Sequence, residues 1–368
     1  MMGVNVQAWY ANNAWPQRLL ELGVPYIRLN CHQNQGFINK IAPWLSTGGR
    51  INSIIYTDKT LEKDVALKNL AHLKNYVGLR HVAAIEGPNE INNHAATLPD
   101  WAPKLREFTQ WTQETVRADP AFAHIPLVAP SVANLKIAEY QALGDISRFV
   151  DKGNNHFYSG FQRPTIIGYG TLQTALRDAS IMAPGRPTWM TESGWQAPFG
   201  TAPLTLRTQA KYLVRSYFDT HGCGIEKSFT FQLMDNISKG FGLCDSSANP
   251  KPAFFALKNL AALFKDSASS ARLLSYTVSS APSTLKVFTF SKSDGSFLLA
   301  FYLDVNSFNV STRQDVETKV PVMFNLPASA RRIEAYQPTF NSSSQLSTSG
   351  QEVAVFASDQ VTVLQIWF

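Results

Sequence analysis

Eight short runs of β-type residues, each followed by a stretch with helical spacing, occupy the first two-thirds of this chain. The runs cover residues 3–9, 24–30, 51–57, 81–87, 125–131, 152–159, 186–193 and 226–233. Between the fourth and fifth lies "LPDWAPKLREFTQWTQETVRAD", where Trp101, Leu105, Phe108, Thr112 and Thr115 recur at spacings of three and four, with Asp100 placed to cap the helix. "LTLRTQAKYLVRSYFDTHG" is a second clear helix, with Gly222 as its stop. Strands alternating with helices pair in parallel through crossover connections. Eight such units predict a (β/α)8 TIM barrel. A doubly wound open sheet would want a Gly-rich phosphate loop after the first strand, and "QAWYANNAW" has none.

After "PKPAFFALKNLAALF" (250–264) the pattern changes to short alternating strands separated by Ser, Thr, Asn and Gly, with "SDGS" (293–296) as a hairpin turn. This predicts a small antiparallel β-sandwich domain. The expected division is a catalytic barrel over residues 1–265 and the β-sandwich over 266–368. No constellation of chemical groups stands out in the second part.

The composition, 45% hydrophobic and only 16% charged, suits a large buried core. The net charge of +6 is scattered, with no basic run, so no nucleic-acid partner is expected. No run is long and apolar enough to span a membrane, and none is expected to. The three cysteines, Cys31, Cys223 and Cys244, form no disulfide framework; one pair could bridge, and the sequence does not say which. No His, Asp or Glu cluster has metal-ligand spacing, so no catalytic metal and no cofactor is expected.

Barrels of this kind carry their chemistry at the C-terminal strand tips. Two tips hold Glu where packing does not ask for it: "EGPNE" after the fourth strand and "WMTESGW" at the seventh. The fourth and seventh strands face each other across an eight-stranded mouth, so Glu90 and Glu192 can meet there. Cleaving a glycosidic bond with retention needs two carboxyl groups about 5–5.5 Å apart, one proton donor and one nucleophile. Glu86, on the strand itself, reads as a supporting or solvated carboxylate.

Asn89-Glu90 ending the fourth strand and Glu192 ending the seventh resemble the acid/base and nucleophile of the clan-A, or 4/7, retaining glycoside hydrolases. The segment "FTFQLMD…FGLCDSSANPKPAFFAL" is similar to their eighth-strand region. The resemblance spans the whole barrel. It implies that Glu90 is the acid/base, Glu192 the nucleophile, and Asn89 a hydrogen-bond donor to the sugar 2-hydroxyl. It also implies that Tyr158 orients the nucleophile and that Arg28 lies beneath it. In place of the platform Trp that the family offers on the eighth strand, this chain has Phe231 and Gln232, and where many relatives follow the pair with Pro it has Ile91-Asn92.

Gln232 is therefore a candidate for substrate binding. His156 reads equally as a substrate ligand or a satisfied core histidine. Trp9, Trp195 and Phe199 are candidate sugar platforms, and each reads also as core. Asp235 and Asp245 either order the eighth loop or cap turns. The expected activity is that of a glycosidase acting on a β-linked polysaccharide or oligosaccharide, endo-acting, as a monomer. A non-catalytic carbohydrate-binding barrel is the alternative, and that reading expects one of the two Glu to be lost. The chain enters a strand at "MMGVNVQAWY" with no visible signal peptide. A secreted or periplasmic location is expected from the substrate class alone.

Overall fold

The computed structural model describes every residue except 1, 8–9, 31–34, 56–60, 169, 199–203, 237–239, 267–271, 342 and 345. Eight parallel strands form its first sheet: β1 (Met2–Asn5), β2 (Tyr26–Asn30), β3 (Arg50–Ile54), β4 (Val82–Glu86), β5 (Leu127–Val128), β6 (Gly153–Phe157), β7 (Thr188–Ser193) and β8 (Lys227–Thr230). They pair in chain order from β1 to β5, and β8 pairs with both β1 and β7. A parallel bridge between Val128 and Lys152 joins β5 to the start of β6, and there the Ala129 amide donates to the Lys152 carbonyl at 2.9 Å. The sheet thus closes into a barrel. Strand β5 is far shorter than the run 125–131 suggests, because Pro126 and Pro130 bracket it and neither can donate to a ladder.

Helices α1 (Trp15–Leu22), α2 (Gln35–Ser46), α3 (Lys63–His72), α4 (Trp101–Ala118), α5 (Ile137–Leu143), α6 (Leu172–Ala179), α7 (Leu206–Gly222) and α8 (Pro252–Leu263) alternate with the strands. Helix α4 buries Trp101, Leu105, Phe108 and Thr112 as its spacing requires, but its last turn buries Val116 in place of the expected Thr115, which is half-buried. Asp100 does not cap it; its side chain pairs with Lys104 at 3.1 Å instead. Thr205 does cap α7, accepting from the Thr208 amide at 3.0 Å. No described helix is long and apolar enough to cross a membrane.

Helix α7 is buried on nearly every side because it lies between the barrel and a second, antiparallel sheet. That sheet contains β9 (Thr277–Ser279), β10 (Leu285–Ser291), β11 (Phe297–Leu303), β12 (Lys319–Tyr336), β13 (Leu346–Ser358) and β14 (Thr362–Trp367). Its order is β9-β12-β14-β11-β10, with β13 also on β12. The "SDGS" turn joins β10 to β11, and Gly295 takes the positive φ of +87° that the turn needs. The runs "KVPVMFNL" and "RRIEAYQP" are one continuous strand, β12. Its register against β13 shifts between Asn325 and Ala330 and again before Ile333, and such bulges bend a strand without ending it.

Strand β11 reads as an unbroken apolar run because both faces are covered. Leu298, Ala300 and Tyr302 join the barrel's core, while Leu299, Phe301 and Leu303 join the core of the C-terminal sheet. There Phe301 meets Phe324 of β12 with ring centroids 4.9 Å apart. The architecture is a TIM barrel followed by an antiparallel β domain of sandwich type.

Candidate active site

At the C-terminal mouth of the barrel, a polar cluster replaces the apolar layers. Its floor is Glu86, fully buried at the end of β4. Its carboxylate accepts from Arg28 Nε (2.9 Å) and Nη2 (2.7 Å), Asn52 Nδ2 (2.5 Å), Asn154 Nδ2 (3.1 Å) and Thr191 Oγ1 (3.1 Å). Strands β2, β3, β6 and β7 each contribute one donor residue, Arg28 on β2 giving two of these five hydrogen bonds. A buried carboxylate is tolerable only when so satisfied, so Glu86 is structural rather than solvated.

Arg28 spends the rest of its guanidinium upward. Nη1 donates to Glu192 Oε1 at 2.6 Å and to Asn5 Oδ1 at 2.9 Å, and Nη2 donates to Asn89 Oδ1 at 2.7 Å. Burial alone would depress its pKa, but Glu86 and Glu192 outweigh that and raise it, so the charge is fixed. The second oxygen of Glu192 accepts from the Tyr158 hydroxyl at 2.6 Å. Burial, then the Glu192 charge, push the Tyr158 hydroxyl well above its ordinary value, so it remains a donor. Gly194 follows the nucleophile candidate closely. A Cβ there would lie 2.6 Å from the Phe231 carbonyl oxygen, which leaves room for glycine alone.

Glu90 sits just past β4 with φ of 50° and ψ of 43°, a left-handed conformation that a residue with a side chain seldom adopts. Its amide donates to Ser131 Oγ at 3.1 Å, and its own Oε2 accepts from Asn93 Nδ2 at 3.1 Å. The other oxygen lies 2.7 Å from His156 Nδ1. Burial raises the Glu90 carboxyl, but the contacts with His156, Arg28 and Asn93 prevail and hold it below the usual range. His156 is buried, and its Nε2 lies 3.0 Å from Thr191 Oγ1. It is a bridge between the two carboxylates, neither exposed to bind substrate at large nor an inert core residue.

One oxygen of Glu90, one of Glu192 and a ring nitrogen of His156 all lie within 4.8 Å of one another. Among the described residues this is the group that could hold a metal ion. The Arg28 guanidinium already occupies one side of Glu192, and Tyr158 takes the other, which disfavours a cation. A cleft of about 660 Å3 opens over the pair. Asn5, Asn30, Asn89 and Asn236 supply amides to its walls, and Phe231, Phe241 and Tyr158 supply ring faces and edges. The Tyr158 ring stands edge-on to Phe241, centroids 5.7 Å apart.

The structure thus brings Arg28, Asn89, Glu90, His156, Tyr158 and Glu192 together. Trp9 and Phe199 lie outside the described residues. Trp195 is not a cleft platform: it is 2% exposed, packs against Tyr212 and Phe308, and donates its indole N–H to the Gln162 carbonyl. Gln232 is fully buried beneath the cleft and donates to Asn236 Oδ1, while its neighbour Phe231 and that Asn236 face the cleft. Asp235 accepts from the Gly242 amide and Lys251, and Asp245 from the Ser247 and Asn249 amides, so both order turns. Cys223 and Cys244 are free thiols, and Cys31 lies outside the described residues.

No protein-family model and no curated protein sequence matches the chain. Solved structures do match in fold. A GH30 endoxylanase from Clostridium papyrosolvens C71 aligns over 100% of this chain and 96% of its own, with a TM-score of 0.62 at 13% identity. A GH39 enzyme from Xanthomonas axonopodis pv. citri aligns over 100% and 93%, with a TM-score of 0.63 at 14% identity. A glucosidase from Croceicoccus marinus aligns over 96% and 91%, with a TM-score of 0.63 at 10% identity. Each of these alignments takes in the barrel and the C-terminal sheet together, and what they share with this chain is the fold.

Proposed function

We propose that the protein is a retaining glycoside hydrolase that cleaves β-linked oligo- or polysaccharide by double displacement. The observation that carries this is the close approach of Glu90 and Glu192, with oxygens within 4.8 Å of each other. Retention needs carboxyl groups about 5–5.5 Å apart, whereas inversion needs about 6.5–9.5 Å to admit a water between them. An endo mode is favoured because the cleft of about 660 Å3 holds more than one sugar ring. Such a substrate argues for a site of action in the periplasm or outside the cell.

In this reading Glu192 is the nucleophile. Arg28 and Tyr158 fix both its oxygens, so one oxygen points at the anomeric carbon. As the new C–O bond forms, the glycosidic C–O bond breaks, and the proton on Glu90 passes to the leaving oxygen. Asn89 has its Oδ1 fixed by Arg28, which turns its Nδ2 donor toward the sugar. Acylal formation removes the Glu192 charge. Water then attacks, Glu90 takes its proton, and Glu192 leaves as carboxylate. Because Glu90 is held below the usual range, its protonated form is populated on the acid side, and the optimum is expected there.

The test is reducing-sugar release from β-glucans, mannans, galactans, xylans and acidic exopolysaccharides, with wild type and Glu192→Gln side by side. Release by wild type alone supports the proposal. Equal release by both, or none by wild type on any glycan, overturns it.

A further inference from the structure

The C-terminal domain touches the barrel beside the loops that follow the strand tips carrying Tyr158 and Glu192. As the chain leaves β11, Asp304 is anchored by its amide on the Thr284 carbonyl at 2.8 Å. Its carboxylate accepts from Thr165 Oγ1 at 3.0 Å, lies 3.1 Å from Arg163 Nε, and accepts from Arg215 Nη2 at 3.0 Å. Arg163 and Thr165 belong to the connection between β6 and α6, which begins with Tyr158. Arg215 lies fully buried on α7.

Four residues on, Phe308 packs into the cluster of Trp195, Ala197, Leu204 and Tyr212. Trp195 and Ala197 belong to the loop between β7 and α7, which begins at Gly194, two residues after Glu192. The Ser307 amide donates to the Tyr212 hydroxyl at 3.0 Å, which fixes Phe308 against that cluster. The two loops are also tied to each other, since the Trp195 indole donates to the Gln162 carbonyl at 2.9 Å. One five-residue segment of the second domain therefore grips both loops.

We propose that segment 304–308 is a positioning clasp for the nucleophile side of the cleft. Asp304 holds the loop behind Tyr158 and Phe308 holds the loop behind Glu192, so that the Tyr158–Glu192 hydrogen bond is kept short. The C-terminal domain is then a working part of the active site rather than an appended module. This inference rests on the function proposed above. A tether of this kind matters because reacting groups lose rate steeply when displaced by an ångström.

Removing Asp304 itself would strand the buried Arg215 charge and unfold the protein for an unrelated reason. The informative variant is Arg163→Ala/Thr165→Val, which frees the loop while Asp304 keeps Arg215. Hydrogen exchange of the full-length protein, read over residues 159–168, needs no substrate. It should speed up in the variant while β1 and β4 stay protected. On whichever glycan the wild type cleaves, kcat should fall by about ten- to a hundredfold, with the thermal midpoint within about 4 °C of wild type. Thr165→Ser keeps the hydroxyl and should behave as wild type. Unchanged exchange, or faster exchange with unchanged kcat, overturns the clasp. A wild type silent on every glycan fails the glycosidase proposal instead, and the exchange comparison then decides the clasp alone.

Discussion

His156 places Nδ1 2.7 Å from Glu90 Oε1 and 3.6 Å from Glu192 Oε2, so one imidazole faces both carboxylates. Burial raises the Glu90 carboxyl, and the His156 contact is the foremost influence that brings it down. With the imidazole gone, burial weighs more and the Glu90 pKa moves up. The alkaline limb of kcat/KM reports loss of the donor proton. In His156→Ala that limb is expected to shift to higher pH, measured on the best glycan. A limb that stays put or moves down would show that His156 does not set the acid.

Arg28 joins two carboxylates and two amide oxygens through one planar fork. Lysine is a point charge and cannot reach all four. Arg28→Lys should therefore keep the positive charge yet lower kcat about a hundredfold, the size expected of a misplaced nucleophile. It should also lower the unfolding midpoint, because Glu86 loses its bidentate partner in a dry site. Kinetics and thermal melts on one preparation check both.

How much of this was legible beforehand follows from range and period. Glu90 and Glu192 were readable because they end strands that alternate with helices, and position within such a barrel fixes which tips meet. Glu86 was not assignable, since its partners Asn52, Asn154 and Thr191 come from three other strands. A signal did exist: polar residues inside "INSI", "GNNHF" and "WMTES", on strands buried on both faces, demand partners. Trp195 reads as a platform or as core, because an aromatic after such a strand tip looks the same in sequence whether it faces sugar or core. What decides it is Phe308, which arrives from the other domain. Gln232 and Phe231 are adjacent, and composition alone did not tell which of them faces the cleft.

Asp219 on α7 is 5% exposed and shares a hydrogen bond with the Tyr302 hydroxyl. Burial raises its pKa to about 6, against the partial relief of Arg215. A carboxyl raised on folding contributes stability that is complete below the unfolded value near about 3.9 and is lost as pH rises toward the folded value. Asp219→Asn should thus be neutral at pH about 4 and gain on the order of 2 kcal/mol at pH about 8. Urea unfolding at the two pH values checks it, and equal effects at both would contradict it.

Lys211 and Asp359 form an ion pair of 2.7 Å, with side chains 2% and 3% exposed, across the barrel–sheet junction. Lys211→Met alone strands a buried carboxylate and should cost about 3–5 kcal/mol. Lys211→Met/Asp359→Leu removes both charges and should recover most of that loss. The double variant's unfolding free energy, set beside the single's, decides whether the pair holds the domains together or is merely tolerated.

The most direct test of the two-carboxylate proposal is the anomeric configuration of the reducing end first released from a β-linked substrate, followed by proton NMR before mutarotation. Carboxylate oxygens within 4.8 Å of each other predict a β product, formed by two displacements at Glu192. An α product would mean a single displacement by water, and Glu192 would not be the nucleophile.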